Sequence, residues 1–238
     1  MINKIIPGAK EAVADIYDGA TVMISGFGEA GSPIELIHAL IDKGTGNLTV
    51  ISNNAGSGHV GLAALIENKQ VSKIICSFPR TLISVVFPEM YKNGEIELEL
   101  VPQGTLAERI RSAGAGIPAF YTPATVDTPL AEGKETEVFN NRTYVMEYAL
   151  EADFALVKCK AADRYGNLVY NKTARNFGPL MCMAAKTTIV QAAKIVDPGQ
   201  LDPECIVTPG IFVQKVVNIA DPADESVLVA EERRYPWN

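Results

Sequence analysis

The sequence lacks a long apolar run: no window of its 238 residues approaches the ~18 consecutive apolar residues that a membrane span needs. It also lacks a basic run, since 21 Lys and Arg stand against 28 Asp and Glu and give a formal net charge of −7. An acidic chain of this kind is a poor candidate for a nucleic-acid partner. Apolar residues nevertheless make up 47% of the chain, which is enough for a packed core and excludes a disordered protein.

Cysteine is scarce as well. Cys76, Cys159, Cys182 and Cys205 are scattered and show no close metal-ligand spacing, so we expect no metal site. Met1–Lys10 does not have the pattern of a signal peptide. We therefore expect reduced thiols in a cytoplasmic protein.

Helix-like and strand-like segments alternate along much of the chain. Short apolar runs bounded by turn residues predict strands at Thr21–Ile24, Leu48–Ser52, Val71–Ser77, Ile96–Val101, Ala152–Lys158, Thr187–Ala192 and Ile211–Val217. Helices are predicted at Ala9–Tyr17, Pro33–Asp42, Gly61–Glu67, Ser84–Asn93, Leu106–Ala113 and Leu180–Ala185. This order predicts an α/β fold with an open, mainly parallel sheet and helices on both faces. We expect one domain over residues 1–220, followed by a charged, proline-interrupted surface arm over 221–238.

Two neighbouring segments depart from this alternation. Ile117–Pro129 is rich in Pro, Thr and Ala, which predicts an extended loop. Glu137–Tyr148 is predicted to be a β-hairpin that turns at Asn140-Asn141. We therefore expect a small hairpin and loop insertion in the middle of the α/β fold.

A glycine-rich loop follows the strand Thr21–Ile24. Gly26, Gly28 and Gly31 allow a ligand to approach the backbone closely. The helix that begins at Pro33 offers free N–H groups to an anion, such as a phosphate, a pyrophosphate or a carboxylate. A tight strand-to-helix turn without any ligand would use the same glycines, so the pattern leaves both interpretations open.

Neutral amide side chains follow two other strands. Asn53 and Asn54 lie in the turn Ser52–Gly56, and Gln103 lies in the predicted turn Pro102–Gly104. Ligands of open parallel sheets bind at the carboxyl ends of the strands, where these turns are expected. Amide N–H groups there can donate hydrogen bonds to a carbonyl that is becoming an oxyanion. Ordinary turn chemistry accounts for the same residues, so this role also stays open.

Seven motifs in chain order carry a resemblance to a known family: Asp18–Pro33, Ser52–Gly56, Val101–Gly104, Ala131–Lys134, Asp163–Asn167, Ala174–Pro179 and Thr208–Gly210. Together they resemble the class I CoA-transferases, and within them the alpha subunits, also called A subunits, of the two-subunit 3-oxoacid CoA-transferases. The resemblance covers about residues 3–218. It departs from the family at Ser25, where the first signature has a glycine.

The resemblance implies a ping-pong transfer of CoA from succinyl-CoA to a 3-oxoacid through a glutamate nucleophile. In the two-subunit enzymes that glutamate lies on the beta (B) subunit, and its motif is absent here, so this chain should be half of an active site. We expect a beta subunit partner in an α2β2 assembly, CoA as a substrate and no permanently bound cofactor. Asn53, Asn54 and Gln103 are implied to support the oxyanion. The residues implied to face CoA are Ser25, Gly26, Phe27, Gly28, Glu29, Ala30 and Gly31.

The acyl acceptor is less well defined by the resemblance. The turn Cys76–Arg80 and the glycine at Gly178 are most similar to enzymes that act on 3-oxoadipate. Arg80 could hold the distal carboxylate of that dicarboxylate through two hydrogen bonds, or it could pair with a surface acid or a CoA phosphate. Asp127 stands where the family has a glycine-rich loop, and its charge opposes a dicarboxylate. Acetoacetate or another short 3-oxoacid is therefore the alternative acceptor.

Interpretations of other classes also stay open. A glycine loop at a helix start would suit a sugar phosphate, so a sugar-phosphate-binding sensor or isomerase on a similar α/β sheet is one rival. A non-catalytic subunit with a decayed site is another, for which Ser25 and Asp127 are the support. Glu29 is expected to be a solvated loop carboxylate rather than a nucleophile, and His38 a structural residue of its helix.

Overall fold

The computed structural model describes residues 2–237. Its strands and α-helices follow in the order β1 (Ile5–Ile6), α1 (Ala9–Ala12), β2 (Thr21–Ile24), α2 (Ile34–Lys43), β3 (Leu48–Ile51), α3 (Gly61–Glu67), β4 (Val71–Cys76), α4 (Val86–Lys92), β5 (Glu97–Leu100), α5 (Gln103–Gly114), β6 (Ala119–Thr122), β7 (Thr136–Phe139), β8 (Arg142–Tyr148), β9 (Ala152–Asp163), β10 (Leu168–Val169), α6 (Gly178–Ala184), β11 (Ala185–Val196), β12 (Lys215–Asn218) and α7 (Glu225–Ala230). Short 3-10 helices occupy Pro129–Ala131, Lys172–Arg175, Pro203–Cys205 and Gly210–Phe212.

The main sheet is parallel along its whole path, in the order β1-β12-β11-β9-β2-β3-β4-β5. The two-residue β10 lies off this path and pairs antiparallel with β9. The predicted open, mainly parallel sheet is therefore confirmed. Because neighbouring strands run in the same direction, the carboxyl ends of β2, β3, β4 and β9 meet at one edge of the sheet.

Both faces of the sheet are covered by helices, as predicted. Val22 and Val50 point to one face and pack with the apolar residues of α1 to α4. Met23 and Ile51, one position further along the same strands, point to the other face and pack with α5 and α6. Burial on both faces explains why these strands are continuous apolar runs without polar alternation.

The middle of the chain forms a separate antiparallel sheet in the order β6-β8-β7. The predicted hairpin is confirmed as β7 and β8, and its turn residues Asn140 and Asn141 both have positive φ, at 51° and 61°. The prediction of an extended loop over Ile117–Pro129 is wrong at Ala119–Thr122. That segment is β6, which pairs with the free edge of β8 and so satisfies backbone groups on both strands.

Several boundaries also differ from the predictions. The sequence predicts the last strand at Ile211–Val217, but it begins at Lys215, and Gly210–Phe212 is a 3-10 helix. The helices α1 and α5 show the largest helix differences. The first helix ends at Ala12 rather than Tyr17, since the chain turns where Ile16 N donates to Val13 O. The fifth helix begins at Gln103 rather than Leu106. Leu106 N donates to Pro102 O at 2.8 Å, so the predicted turn is the first turn of α5.

The chain after residue 220 forms α7 and then crosses α2 and α3. The Tyr235 ring stacks on His38 with 3.7 Å between ring centroids, and its hydroxyl donates to Asp42 Oδ1 at 2.7 Å. Tyr235 N also donates to His59 O. The division into one domain and an arm stays a prediction. Of the helices in the described part of the chain, none has the length and apolarity needed to cross a membrane.

Candidate active site

The turns singled out in the sequence meet at the carboxyl edge of the parallel sheet. Ser25 N, after β2, donates to Leu156 O of β9, and Ser52 N, after β3, donates to Ile75 O of β4. Ser77 N, after β4, donates to Asn53 O. Backbone hydrogen bonds therefore continue past the strand ends and hold these turns side by side, at the edge where ligands of such sheets bind.

Gln103 and Asn53 form the centre of this edge. Gln103 Nε2 donates to Asn53 Oδ1 at 2.7 Å, and Ser77 Oγ donates to the same oxygen at 2.7 Å. The Asn53 side chain is buried, so its carbonyl fixes the position of the Gln103 amide. The second N–H of Gln103 and the Asn53 Nδ2 group donate to no atom of residues 2–237. These donors remain for a ligand.

An open cavity of about 390 Å³ lies over these amides. Its lining residues are Phe27, Gly28, Asn53, Asn54, Ser77, Phe78, Thr81 and Gln103. Sequence reasoning named five of the eight as site residues. It placed the turn that contains Ser77 and Phe78 at the same edge without giving either side chain a role, and it missed Thr81. Their signal was position, because they follow β4 at the same edge. No carboxylate, His or Cys is among the described residues that line the cavity, so the cavity has donors but no nucleophile–base pair.

Asn54 connects two loops through its side-chain hydrogen bonds. Its Oδ1 accepts from Gly56 N at 2.8 Å, and its Nδ2 donates to Gly28 O at 3.4 Å. The side chain lines the cavity while it connects the Asn-rich turn to the glycine loop. Its geometry therefore suits support of the site more than direct donation to a substrate.

The glycines of the loop are needed for different reasons. A Cβ at Gly31, where φ is +87°, would lie 2.4 Å from Ala174 O, so close packing alone requires this glycine. Asn176 Nδ2 reinforces the same contact by donating to Ala30 O at 2.8 Å. By contrast, Gly28 has φ +60° and nothing within 4 Å of such a Cβ. Gly28 is thus the glycine whose open side faces the cavity.

The loop residues implied to face CoA are spread over several cavities or are buried. Phe27 and Gly28 line the amide cavity, whereas Glu29, Ala30 and Gly31 line a neighbouring cavity of about 590 Å³ that also contains Lys158, Lys160 and Lys172. Phe27 borders both cavities, and together with Ala30 it also lines a third cavity of about 980 Å³. Ser25 and Gly26 are buried behind the loop, where Ser25 Oγ donates to Gly31 O at 2.8 Å.

The two residues that bear on the acyl acceptor lie outside the amide cavity. Arg80 is exposed, next to Thr81 in the chain, and its guanidinium makes no hydrogen bond or ion pair with residues 2–237. Asp127 is exposed in the loop after β6, with φ +61°. In this chain alone, neither side chain lines the amide cavity.

The buried titratable groups are poor candidates for catalysis. Burial lowers the pKa of His38 to about 4, and its Nε2 accepts from Gly61 N at 3.1 Å, so the ring is neutral and structural, as expected. Burial raises the pKa of the Cys76 thiol to about 12, and that of Cys182 to about 12. Such thiols stay protonated and are weak nucleophiles. Across residues 2–237, no group of three His, Cys, Asp or Glu side chains is arranged to hold a metal ion.

Glu225, the first residue of α7, has a buried carboxyl group. It is 7% exposed and lies against Gly61 and Ser32, at the starts of α3 and α2, and its Oε2 has no hydrogen-bond partner. Burial raises its pKa to about 7, above the ordinary 4.5. The Glu225 carboxyl is therefore protonated in the folded chain over part of the neutral pH range.

We expect Glu225→Gln to remove a pH-dependent part of the stability. With a folded pKa near 7 and an unfolded pKa of 4.5, the contribution is fully present below pH 4.5 and is lost as the pH rises through 7. The loss amounts to at most about 3 kcal/mol. Urea unfolding at pH 5 and pH 8 measures it: the wild type should lose more stability between these values than Glu225→Gln, and the exposed control Glu231→Gln should match the wild type. Equal losses in all three would refute the titration.

Comparison with known proteins places these features in context. Residues 7–218 match the family described as Coenzyme A transferase. The chain is 56% identical to the A subunit of the 3-oxoadipate CoA-transferase of Pseudomonas putida, over 97% of this chain and 100% of that one. It is 50% identical to the A subunit of a probable succinyl-CoA:3-ketoacid coenzyme A transferase of Bacillus subtilis, over 91% of this chain and 90% of that one.

A solved structure shows the same fold at low sequence identity. It is an acyl-CoA transferase from Escherichia coli O157:H7, described as a thioester complex with CoA. The TM-score is 0.83 at 23% identity, and the match covers 94% of this chain and 51% of the other. This chain therefore spans about half of that protein and has the architecture of its matching half.

Proposed function

The chain belongs to the coenzyme A transferase family, and from this premise we propose that it is the alpha subunit of an enzyme of two subunit types that moves CoA from succinyl-CoA to 3-oxoadipate. The observation that carries the proposal is the Gln103–Asn53 amide pair over an open cavity whose described lining residues include no carboxylate. That arrangement is half of a catalytic site. The family membership confirms the resemblance drawn from the seven motifs and identifies the chain as part of an enzyme.

In the proposed reaction a glutamate carboxylate of the beta subunit attacks the thioester carbonyl of succinyl-CoA. The carbonyl oxygen gains negative charge as the new C–O bond forms, and it returns that charge as the C–S bond breaks. CoA then leaves as the thiolate, and a mixed anhydride remains on the glutamate. The thiolate then attacks the glutamyl carbonyl, which releases succinate and forms the enzyme-glutamyl CoA thioester. The carboxylate of 3-oxoadipate reverses these two steps and leaves with CoA.

Gln103 is placed to stabilise the charge that develops on the carbonyl oxygen. Its free N–H and those of Asn53 are donors held in position before the reaction, so little reorganisation accompanies the charge. Gln103 is also the first residue of α5, a helix of 12 residues. The positive end of the helix dipole therefore lies at the same place and favours an anion there.

Arg80 is the side chain of this chain that we propose to recognise the distal carboxylate of 3-oxoadipate. Arg80 is exposed, and the next residue in the chain, Thr81, lines the amide cavity. Its guanidinium forms no ion pair with the described residues, so it is available to bind a carboxylate through two hydrogen bonds. Arg80 and Asp127 both lie outside the residues that line the amide cavity. Arg80 directly precedes the lining residue Thr81, whereas Asp127 lies in the loop after β6, and we therefore give Arg80 the role in acceptor binding.

We expect the complex with the beta subunit to prefer 3-oxoadipate over acetoacetate in kcat/KM. Arg80→Ala should lower kcat/KM for the dicarboxylate by roughly tenfold or more and leave acetoacetate little changed, because only the dicarboxylate has a second charge to bind. Steady-state exchange from succinyl-CoA to each acceptor measures this, with the exposed Arg142→Ala as a matched control.

Two outcomes would change the assignment. Equal losses on both acceptors in Arg80→Ala would place Arg80 at CoA or in the surface structure. A wild-type preference for acetoacetate would favour the second candidate, a succinyl-CoA:3-ketoacid transferase, which the 50% identity to the Bacillus subtilis relative supports. No observation favours a sugar-phosphate sensor or isomerase, and a decayed subunit would lack the aligned amide donors.

The remaining parts of the proposal concern the setting of the enzyme. We propose that it assembles with the beta subunit in an α2β2 complex, holds CoA only as a substrate and acts in the cytoplasm. The four cysteines are free thiols and Cys205 among them is exposed, which suits a reducing compartment.

A further inference from the structure

A short loop beside the amide cavity exposes an unusual amount of apolar surface. In the segment Phe78–Val85, which we call the rim loop, the Phe78 side chain is 56% exposed and Leu82 is fully exposed. Ile83 and Val85 are also about half exposed. Single exposed apolar residues are common, but a contiguous group of them marks an interaction surface.

Hydrogen bonds to the Asn-rich turn hold the rim loop in place. Ser84 is buried, and its Oγ donates to Gly56 O at 2.9 Å, while Gly58 N donates to Ile83 O at 2.9 Å. Thr81 N donates to Ser84 Oγ at 3.0 Å and closes the turn. Leu82 therefore projects from a fixed turn, so that little conformational entropy is lost when a partner covers it.

The rim loop also forms one side of the mouth of the amide cavity. Phe78 and Thr81 line the cavity from this loop, and Phe27, which is 53% exposed, lines it from the glycine loop. A nucleophile that attacks a carbonyl held by Gln103 must enter between these residues. Any protein that delivers a carboxylate there must cover the mouth, and with it the exposed rim.

We propose that the beta subunit docks on the rim loop, with Leu82 as the anchor that inserts into an apolar pocket of the partner. The inference rests on the proposed function, because that function requires a second protein at this mouth. It adds the surface and the residue that hold the partner there. A few side chains near the centre of an interface carry most of its affinity, and an apolar anchor seated in a pocket is one way to build that centre.

The test uses this chain and the purified beta subunit. Leu82→Asp should weaken association by at least tenfold in sedimentation or calorimetric titration, and Leu82→Ala by less, because the aspartate also places an unpaired charge in the pocket. The matched control is Val138→Asp on β7, where Val138 is 59% exposed away from the cavity. It should bind the partner like the wild type. The melting temperature of each variant alone checks that the chain still folds.

Activity separates this inference from the function on which it rests. Leu82 touches no reacting group, so excess beta subunit should restore the CoA exchange rate of Leu82→Asp to that of the wild type. Normal affinity in Leu82→Asp, or an equal loss in Val138→Asp, would overturn the docking surface while an active wild-type complex upholds the function. Self-association of this chain that depends on Leu82 would assign the surface to a second copy and overturn the proposal. No CoA exchange by the wild-type complex would instead refute the function.

Discussion

Gln103→Ala in the assembled enzyme is expected to lower kcat by about 10²–10³, which corresponds to a loss of roughly 2.7–4 kcal/mol of transition-state stabilisation. The substitution removes an N–H that donates to the carbonyl oxygen only as that oxygen becomes charged. KM should change little, because the neutral carbonyl of the bound substrate accepts such a bond weakly. Single-turnover kinetics with succinyl-CoA measures the step directly.

The fold and the assembly should survive this change. Gln103 is exposed at the start of α5, and Asn53 Oδ1 keeps the Ser77 hydroxyl as a donor after the Gln103 amide is removed. Ser77→Ala is a useful companion, because it removes the other donor to Asn53 and leaves the Gln103 amide in place. It should cost less activity than Gln103→Ala. A normal kcat in assembled Gln103→Ala would make Gln103 a helix-start residue without a role in the reaction.

Much of the fold could be predicted because its signals are local. Thr21–Ile24 and Gly61–Glu67 have the predicted bounds, since each is an apolar segment closed by residues that end strands or helices. The rule that parallel strands end at one edge then brought Asn53 and Gln103 together before any distance was known. Their contact at 2.7 Å depends on two segments fifty residues apart and could be seen only in the structure.

Other motifs of the resemblance have a structural reason that the sequence hides. Two of these motifs, Asp163–Asn167 and Thr208–Gly210, are in direct contact. Asn167 Oδ1 accepts a hydrogen bond from Gly210 N at 2.9 Å, and a Cβ at Gly210 would lie 2.2 Å from Tyr165 O. Lys134, in another motif, forms an ion pair with the buried Glu147 of β8. A motif read alone shows its turn chemistry but not the distant partner that requires it.

We expect the isolated chain to fold but not to transfer CoA. The residues that line the amide cavity include no carboxylate, and Glu29, the acid of the glycine loop, lines the neighbouring cavity with the lysines instead. Exchange between succinyl-CoA and 3-oxoadipate should therefore be absent for this chain alone and appear when the beta subunit is added. Circular dichroism of the isolated chain is the control that it is folded.

The position of the covalent intermediate tests the central claim most directly. The complex of this chain with the beta subunit is incubated with succinyl-CoA, digested, and searched by mass spectrometry for the peptide that carries CoA. We predict the CoA adduct on a glutamate of the beta subunit, with none on this chain. A CoA adduct on a carboxylate of this chain, such as Glu29, would contradict the assignment of this chain as the half of the site that stabilises the oxyanion.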